Sequence, residues 1–139
     1  MRTPVTWLLA SLLLLCGAAL PVFNNVQLTF FKVEEQAGEL VVTWQAEVEE
    51  GLKEYVLERR TPFTNGEFRE VKQRFQPHGA GKPYRFRDDQ LYKSLDEEVD
   101  YRLYGVYQNN ERQRLAERKV NYTSTSIRRT WGSIKAMFQ

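Results

Sequence analysis

The side chains that could perform acid–base or metal chemistry in this chain are few and lie far apart in the sequence. The chain has one histidine, His78, and one cysteine, Cys16. Metal binding and histidine-based catalysis need further ligands or a nearby nucleophile, and the sequence offers no second histidine. The carboxylates at 88–89 and 96–98 are the other candidates, for a calcium site or an acid–base pair. No spacing pattern connects these groups, so we expect His78 in a solvated loop and the carboxylates on a solvated face or turn.

The first nineteen residues have the organisation of a secretory signal peptide. Arg2 provides the basic start, an apolar run extends from Val5 to Leu15, and small residues follow. Gly17 and Ala19 suit the two small-residue pockets of a signal peptidase. The pattern therefore predicts a signal peptide over 1–19, cleaved after Ala19.

Two alternatives to cleavage are open at this stage. Residues 5–23 are uncharged over a length that can span a bilayer, so the segment could remain as a membrane anchor. Cys16 could carry a lipid, although Leu15 precedes it where lipoprotein signals have a small residue. Cleavage after Ala19 would remove the only cysteine, and the exported domain would then depend on its core rather than on disulfides.

Charge divides the rest of the chain into a mixed body and a basic tail. All 18 acidic side chains lie in residues 20–122, whereas residues 123–139 hold Arg128, Arg129 and Lys135 and no acid. The formal net charge of the whole chain is only +2, which does not indicate a nucleic-acid-binding protein.

Period-two alternation of apolar and polar residues predicts about seven short strands in the body. The clearest case is 39–47, in which Leu40, Val42 and Trp44 share one face. The other predicted strands are 26–33, 54–60, one with Phe68 and Val71, one with Tyr84 and Phe86, 99–108 and 112–122. A phase change at Phe30-Phe31 indicates a bulge, and Asn65-Gly66 is a hairpin signal. Seven short strands separated by turns predict an all-β antiparallel sandwich over residues 24–122.

The large aromatic side chains of the predicted strands are interpreted as core rather than as a ligand-binding cluster. The residues assigned inward are Trp44, Tyr55, Phe68, Tyr84, Phe86, Tyr101 and Leu103. Glu58, Arg59 and Arg60 are interpreted as members of cross-strand ion pairs on the outer face.

The order of these residues resembles a known family. The stretch LTFFKVEEQAGELVVTWQAEVEEGLKEYVLERR, followed by NGEF, GAG, YRFRD and DYRLYGV, resembles the fibronectin type III-like domains found in many secreted bacterial surface proteins. The resemblance covers about residues 26–120. It implies a two-sheet immunoglobulin-like sandwich with Trp44 between the sheets and Tyr101 at the tyrosine-corner position. Family members usually lie in long multidomain chains, so their spacer role is not carried over directly.

The tail is predicted to form a basic amphipathic helix over 123–139. At 100° per residue one narrow stripe collects Ile127, Trp131, Ile134 and Phe138, with Arg128 and Lys135 beside it. These six residues are the predicted partner-binding residues. The helix is short and contains Gly132, so it needs a surface for stability. That surface could be its own sandwich, a groove on a partner protein or an anionic membrane.

The sequence therefore favours a non-enzymatic secreted or periplasmic, cell-envelope protein-interaction module. In this interpretation the sandwich is a scaffold, and the C-terminal helix docks on a partner or membrane surface. No catalytic residue, cofactor or metal site is predicted, and no nucleic-acid partner. The alternative is a cell-surface adhesion or carbohydrate-contacting module that uses the sandwich loops, with a purely structural tail.

Overall fold

The computed structural model of the chain describes residues 23–91 and 97–122. They form seven strands and one short 3₁₀ helix, Pro62–Thr64. The strands are β1 (Asn25–Gln36), β2 (Glu39–Glu50), β3 (Leu52–Arg60), β4 (Arg69–Phe75), β5 (Tyr84–Asp88), β6 (Glu97–Tyr107) and β7 (Arg112–Tyr122). The prediction of seven antiparallel strands is confirmed. The predicted signal segment 1–19 and the predicted helix 123–139 lie outside the described residues.

The strands form two antiparallel sheets that pack around one core, as in a β-sandwich. One sheet has the order β1-β2-β5, and the other has the order β4-β3-β6-β7. β1 also contacts β7 across the sandwich. β4 and β5 are the other two edge strands, and they lie on the side of the sandwich opposite to β1 and β7.

The strand directions define two ends of the sandwich. We call one the Phe63 end, because it holds the turn at 37–38, the β3–β4 connection with Phe63, and the end of β7 at Tyr122. We call the other the His78 end, because it holds the start of β1 at Asn25 and the β4–β5 loop with His78. The segments before β1 and after β7 thus join the sandwich at opposite ends.

The core is centred on Trp44, which is 0% exposed. Its indole stacks on the ring of Tyr84, with ring centroids 5.2 Å apart, and meets the rings of Tyr55 and Phe75 edge-on at 5.8 and 4.9 Å. Tyr84 lies on β5 and the other two on β3 and β4, so this cluster joins both sheets. The predicted placement of Trp44 between the sheets is confirmed.

Two local irregularities shape the strands. The β1–β2 register shifts on both sides of Leu28, and the extra residue in β1 is Thr29, directly before the predicted position at Phe30-Phe31. The β3–β4 register shifts between Val56 and Glu58, whose partners are Arg74 and Glu70, so β4 carries two extra residues there. At the predicted Asn65-Gly66 turn both residues have positive φ, 54° and 78°.

Candidate functional site

The six residues predicted to bind a partner lie in the segment that follows β7 and are outside the described residues. They are Ile127, Arg128, Trp131, Ile134, Lys135 and Phe138. The structure does place the point from which this segment starts, at Tyr122 on the Phe63 end. The described residues contain three further groups of polar side chains that could support function.

A buried acidic group lies where β5 ends. The carboxylate of Asp88 is 0% exposed, and it accepts hydrogen bonds from the guanidinium of Arg59 and from the hydroxyl of Tyr101, the latter at 2.6 Å. The backbone N–H of Gln90 donates to the same carboxylate at 3.3 Å. The prediction that Asp88 is solvated is therefore wrong, and Arg59 points to Asp88 rather than to an outer-face partner. Asp89, by contrast, is exposed.

A second polar group lies at the His78 end, next to the aromatic core. Glu49 Oε1 accepts hydrogen bonds from the hydroxyls of Tyr55 and Tyr84, both at 2.8 Å. The backbone N–H of His78 donates to the Tyr84 hydroxyl at 2.9 Å, and the His78 ring stacks on Tyr84 with centroids 3.8 Å apart. The predicted exposure of His78 in a loop is confirmed. The histidine packs on the tyrosine from outside and helps to close this end of the core.

Burial raises the pKa of the hydroxyl groups of both Tyr55 and Tyr84. It raises the pKa of Tyr84 to about 12, where the His78 N–H opposes the shift and the Glu49 carboxylate adds to it. The pKa of Tyr55 is raised further than that of Tyr84. Burial is the largest cause, and the hydrogen bond to Glu49 is the second largest. Burial also raises the pKa of Tyr107, whose hydroxyl donates to Gln113 Oε1 at 2.6 Å.

These shifts predict a loss of stability in alkali. The free energy of unfolding is expected to hold its full tyrosine contribution below pH 10 and to decrease above it. The reason is that the unfolded chain releases tyrosine protons near pH 10 while the folded chain retains them. The loss should be about 1.4 kcal/mol per pH unit for each retained proton, and for Tyr84 it should end near pH 12. Urea unfolding at several pH values measures it. Tyr84→Phe should show a shallower decrease between pH 10 and 12, and an unchanged slope would contradict the assignment.

The third group covers the outer face of the four-stranded sheet. Phe68 lies between two guanidinium groups, 4.6 Å from that of Arg60 and 3.6 Å from that of Arg102. Arg60 donates to Asp100 at 2.6 Å, and Arg102 donates to Glu117 at 2.9 Å. The assignment of Phe68 to the core is therefore wrong. It precedes β4 and packs on the outer face, because the paired arginines provide flat surfaces for its ring.

The same outer face holds a network of ion pairs around Arg112. This guanidinium lies 4.1 Å from the ring centre of Tyr104 and donates to Glu58 at 2.5 Å and to Glu70 at 2.8 Å. The predicted cross-strand pairs are thus confirmed for Glu58 and for Arg60, whose register partner is Asp100. Because these charges neutralise one another, the face is a stable cover for the sheet rather than a charged binding surface.

A groove runs along the side of the sandwich where the edge strands β4 and β5 face each other. One cleft of about 230 Å³ is lined by Val71, Lys72 and Gln73 of β4 and by Phe86 and Arg87 of β5, together with Arg59, Asp89 and Gln90. A second cleft, of about 180 Å³, shares Arg59 and Gln90 with the first and extends to the Phe63 end. Its other lining residues are Thr61, Phe63, Thr64, Arg69 and Leu91. No pattern in the sequence indicates this groove.

Within 23–91 and 97–122, no three His, Cys, Asp or Glu side chains are arranged to hold a metal ion. No helix in the same part of the chain is long and apolar enough to cross a membrane.

The fold and these groups define a small all-β protein of two antiparallel sheets. No protein-family model matches the chain, and no curated protein gives a significant match to it. Functional arguments for this protein therefore rest on its own residues.

Proposed function

We propose that this chain is a non-enzymatic protein-interaction module of the secreted or cell-envelope class. A fibronectin type III-like sandwich is the scaffold, and the C-terminal segment 123–139 docks on a partner or membrane surface through its apolar stripe. The observation that carries the proposal is the position of Tyr122, which lies at the end of the sandwich opposite to Asn25. The basic segment with the predicted apolar stripe follows Tyr122 directly in the sequence.

The arrangement of the strands supports the family resemblance. The strands β1, β2 and β5 correspond to strands A, B and E of an immunoglobulin-like sandwich, and β3, β6 and β7 correspond to C, F and G. Trp44 packs between the sheets, as the resemblance implies. Tyr101 on β6 donates its hydroxyl to a residue earlier in the chain, although the acceptor is the side chain of Asp88 rather than a backbone group.

The length of the sandwich separates the segment before β1 from the segment after β7. β1 has 12 residues, so at about 3.3 Å per residue it extends over about 40 Å. The chain before β1 joins the sandwich at the His78 end. This is so whether residues 1–19 are cleaved or retained as an anchor. The tail begins at the far end, so the sandwich holds the apolar stripe away from the site where an anchor would enter a membrane.

The carboxylates of Asp88 and Glu49 form hydrogen bonds within the fold, and this supports a binding role over catalysis. Asp88 is occupied by Arg59 and Tyr101, and Oε1 of Glu49 accepts hydrogen bonds from two tyrosine hydroxyls, whereas its Oε2 has no partner among the described residues. Both carboxylates are thus hydrogen-bonded within the fold, where they stabilise contacts between strands. In this proposal the sandwich contributes rigidity, and the tail provides recognition.

The proposal predicts that the tail can be changed without unfolding the sandwich. Truncation after Tyr122 should leave a cooperative urea transition, while association with the envelope fraction or with anionic vesicles should be lost. Trp131→Glu in the full chain should weaken that association by about tenfold or more, because a buried tryptophan anchor commonly contributes about 2 kcal/mol or more to binding. Co-sedimentation measures the association.

The matched control is Ser133→Glu, which introduces the same charge on the opposite side of the predicted helix. It should retain association within about twofold of the unmodified chain. If truncation after Tyr122 unfolds the sandwich, the tail belongs to the core and the docking function is wrong. Equal losses for the Trp131 and Ser133 variants would exclude recognition through the apolar stripe.

A further inference from the structure

Two cations without an acidic partner lie along the groove between β4 and β5. Arg69 and Lys72 are exposed and have no acidic partner among the described residues. On the outer face of the same sheet, Arg102 and Arg112 each form ion pairs with glutamates. Lys82 and Arg118 are also exposed cations without an acidic partner among the described residues, so the groove is distinguished by the position of two such cations along one cleft system rather than by unpaired charge itself.

The remaining charges of the groove leave it with a positive balance. The charge of Arg59 is neutralised by the buried Asp88, and Arg87 forms a 3.1 Å pair with Glu39. Within the described part of the chain, Asp89 is the one acid that lines the groove. Because exposed pairs are individually weak, an incoming carboxylate can compete for Arg87 as well as for the free cations.

The groove also has an apolar part at the Phe63 end. Phe63 is 64% exposed and, with Phe23, is one of two large hydrophobic side chains that are exposed in the described part of the chain. It lines the second cleft together with Leu91. A ligand that fits both parts must therefore carry negative charge along its length and an apolar group near one end.

Two occupants can be excluded on physical grounds. The tail 123–139 carries three cations and no acid, so it would place like charges against Arg69 and Lys72. Addition of a regular strand to β4 is disfavoured by the two extra residues of its bulge, which interrupt the register between Val56 and Glu58. Recognition on the β4 side of the groove must therefore come from side chains.

We infer that the β4–β5 groove binds an acidic peptide segment of a partner protein. Carboxylates of the peptide pair with Arg69 and Lys72, and an apolar side chain of the peptide packs on Phe63 and Leu91. This site is separate from the docking role of the tail and does not depend on it. An acidic polysaccharide is a poorer fit, because two unpaired cations line the groove among the described residues, whereas a dense polyanion is matched by a more extended positive patch.

The test uses the full chain and a fluorescein-labelled peptide that alternates glutamate with phenylalanine. Fluorescence anisotropy should show saturable binding that weakens with added salt. The double variant Arg69→Glu/Lys72→Glu should bind roughly tenfold more weakly, because two attractive pairs become repulsive. Phe63→Ser should weaken binding severalfold. All three positions are exposed, so circular dichroism spectra should match that of the unmodified chain.

The control is Lys82→Glu/Arg118→Glu, which changes the net charge equally at exposed positions outside the groove. It should bind the peptide within about twofold of the unmodified chain. Absence of binding to the peptide, or equal losses in the two double variants, would overturn the assignment. A heparin fragment that binds in place of the peptide and is lost in the Arg69/Lys72 variant would reassign the groove to glycans. Every variant retains the tail, so a negative result here leaves the outcome of the Trp131 experiment unaffected.

Discussion

Replacing Asp88 with alanine is expected to lower the free energy of unfolding by about 3–5 kcal/mol, the usual cost of removing one partner from a buried ion pair. The carboxylate is fully buried and binds the Arg59 guanidinium and the Tyr101 hydroxyl. Without it, a largely buried cation and a buried hydroxyl lose their acceptor at once. The measurement is urea unfolding followed by circular dichroism.

The adjacent carboxylate supplies the control. Asp89 is exposed, so Asp89→Ala should change the free energy of unfolding by no more than about 0.5 kcal/mol. Asp88→Asn should have an intermediate effect, because the amide oxygen can still accept one hydrogen bond while the charge for Arg59 is lost. Equal effects of the Asp88 and Asp89 alanine substitutions would show that the buried cluster does not stabilise the junction of β3, β5 and β6.

The strand pattern was predictable because large apolar residues recur at every second position, although Val41 and Val56 on the opposite faces of β2 and β3 are buried as well. Alternation alone identified the faces of β2 and β3, since Leu40, Trp44 and Tyr55 recur at the period that points side chains to the same side of a sheet. The bulge in β1 was also predictable, because it changes the phase of that alternation. Local sequence carries both signals.

Contacts between distant strands were not predictable in the same way. Asp88 looks like any acidic residue at the end of a strand, and its burial depends on Arg59 and Tyr101, which lie 29 and 13 residues away. Phe68 carries the signature of a core aromatic, but its packing depends on Arg60 and Arg102, which reach it from β3 and β6. A single sequence shows residue type and spacing, and it does not show which neighbours a fold supplies.

The two candidate binding surfaces, the apolar stripe of the tail and the β4–β5 groove, also differ in whether local sequence predicts them. The apolar stripe of the tail was found from the sequence because helical periodicity is local, and its docking remains a prediction. The β4–β5 groove was missed because Arg69 and Lys72 line it together with residues of β5, which belongs to the other sheet. That arrangement appears only when the order of the strands in both sheets is known.

The other large effect is expected at the centre of the core, where Trp44→Ala should lower the free energy of unfolding by about 3–5 kcal/mol. Trp44 is fully buried and touches the rings of Tyr55, Phe75 and Tyr84, so its removal leaves a cavity between both sheets. Urea unfolding measures the change. A matched control is Phe63→Ala, since Phe63 is 64% exposed and its removal should cost no more than about 0.5 kcal/mol.

A third variant separates packing from hydrogen bonding at this position. Trp44 Nε1 is buried and has no hydrogen-bond acceptor among the described residues, and an unpaired buried donor costs about 1–3 kcal/mol. Trp44→Phe removes that donor while keeping an aromatic ring against Tyr84, so it should be clearly less destabilising than Trp44→Ala. If the two substitutions are equally costly, the indole N–H must have a partner that contributes to stability. If both are harmless, the aromatic cluster is not the core of this sandwich, and its rings would have to be considered as a binding surface instead.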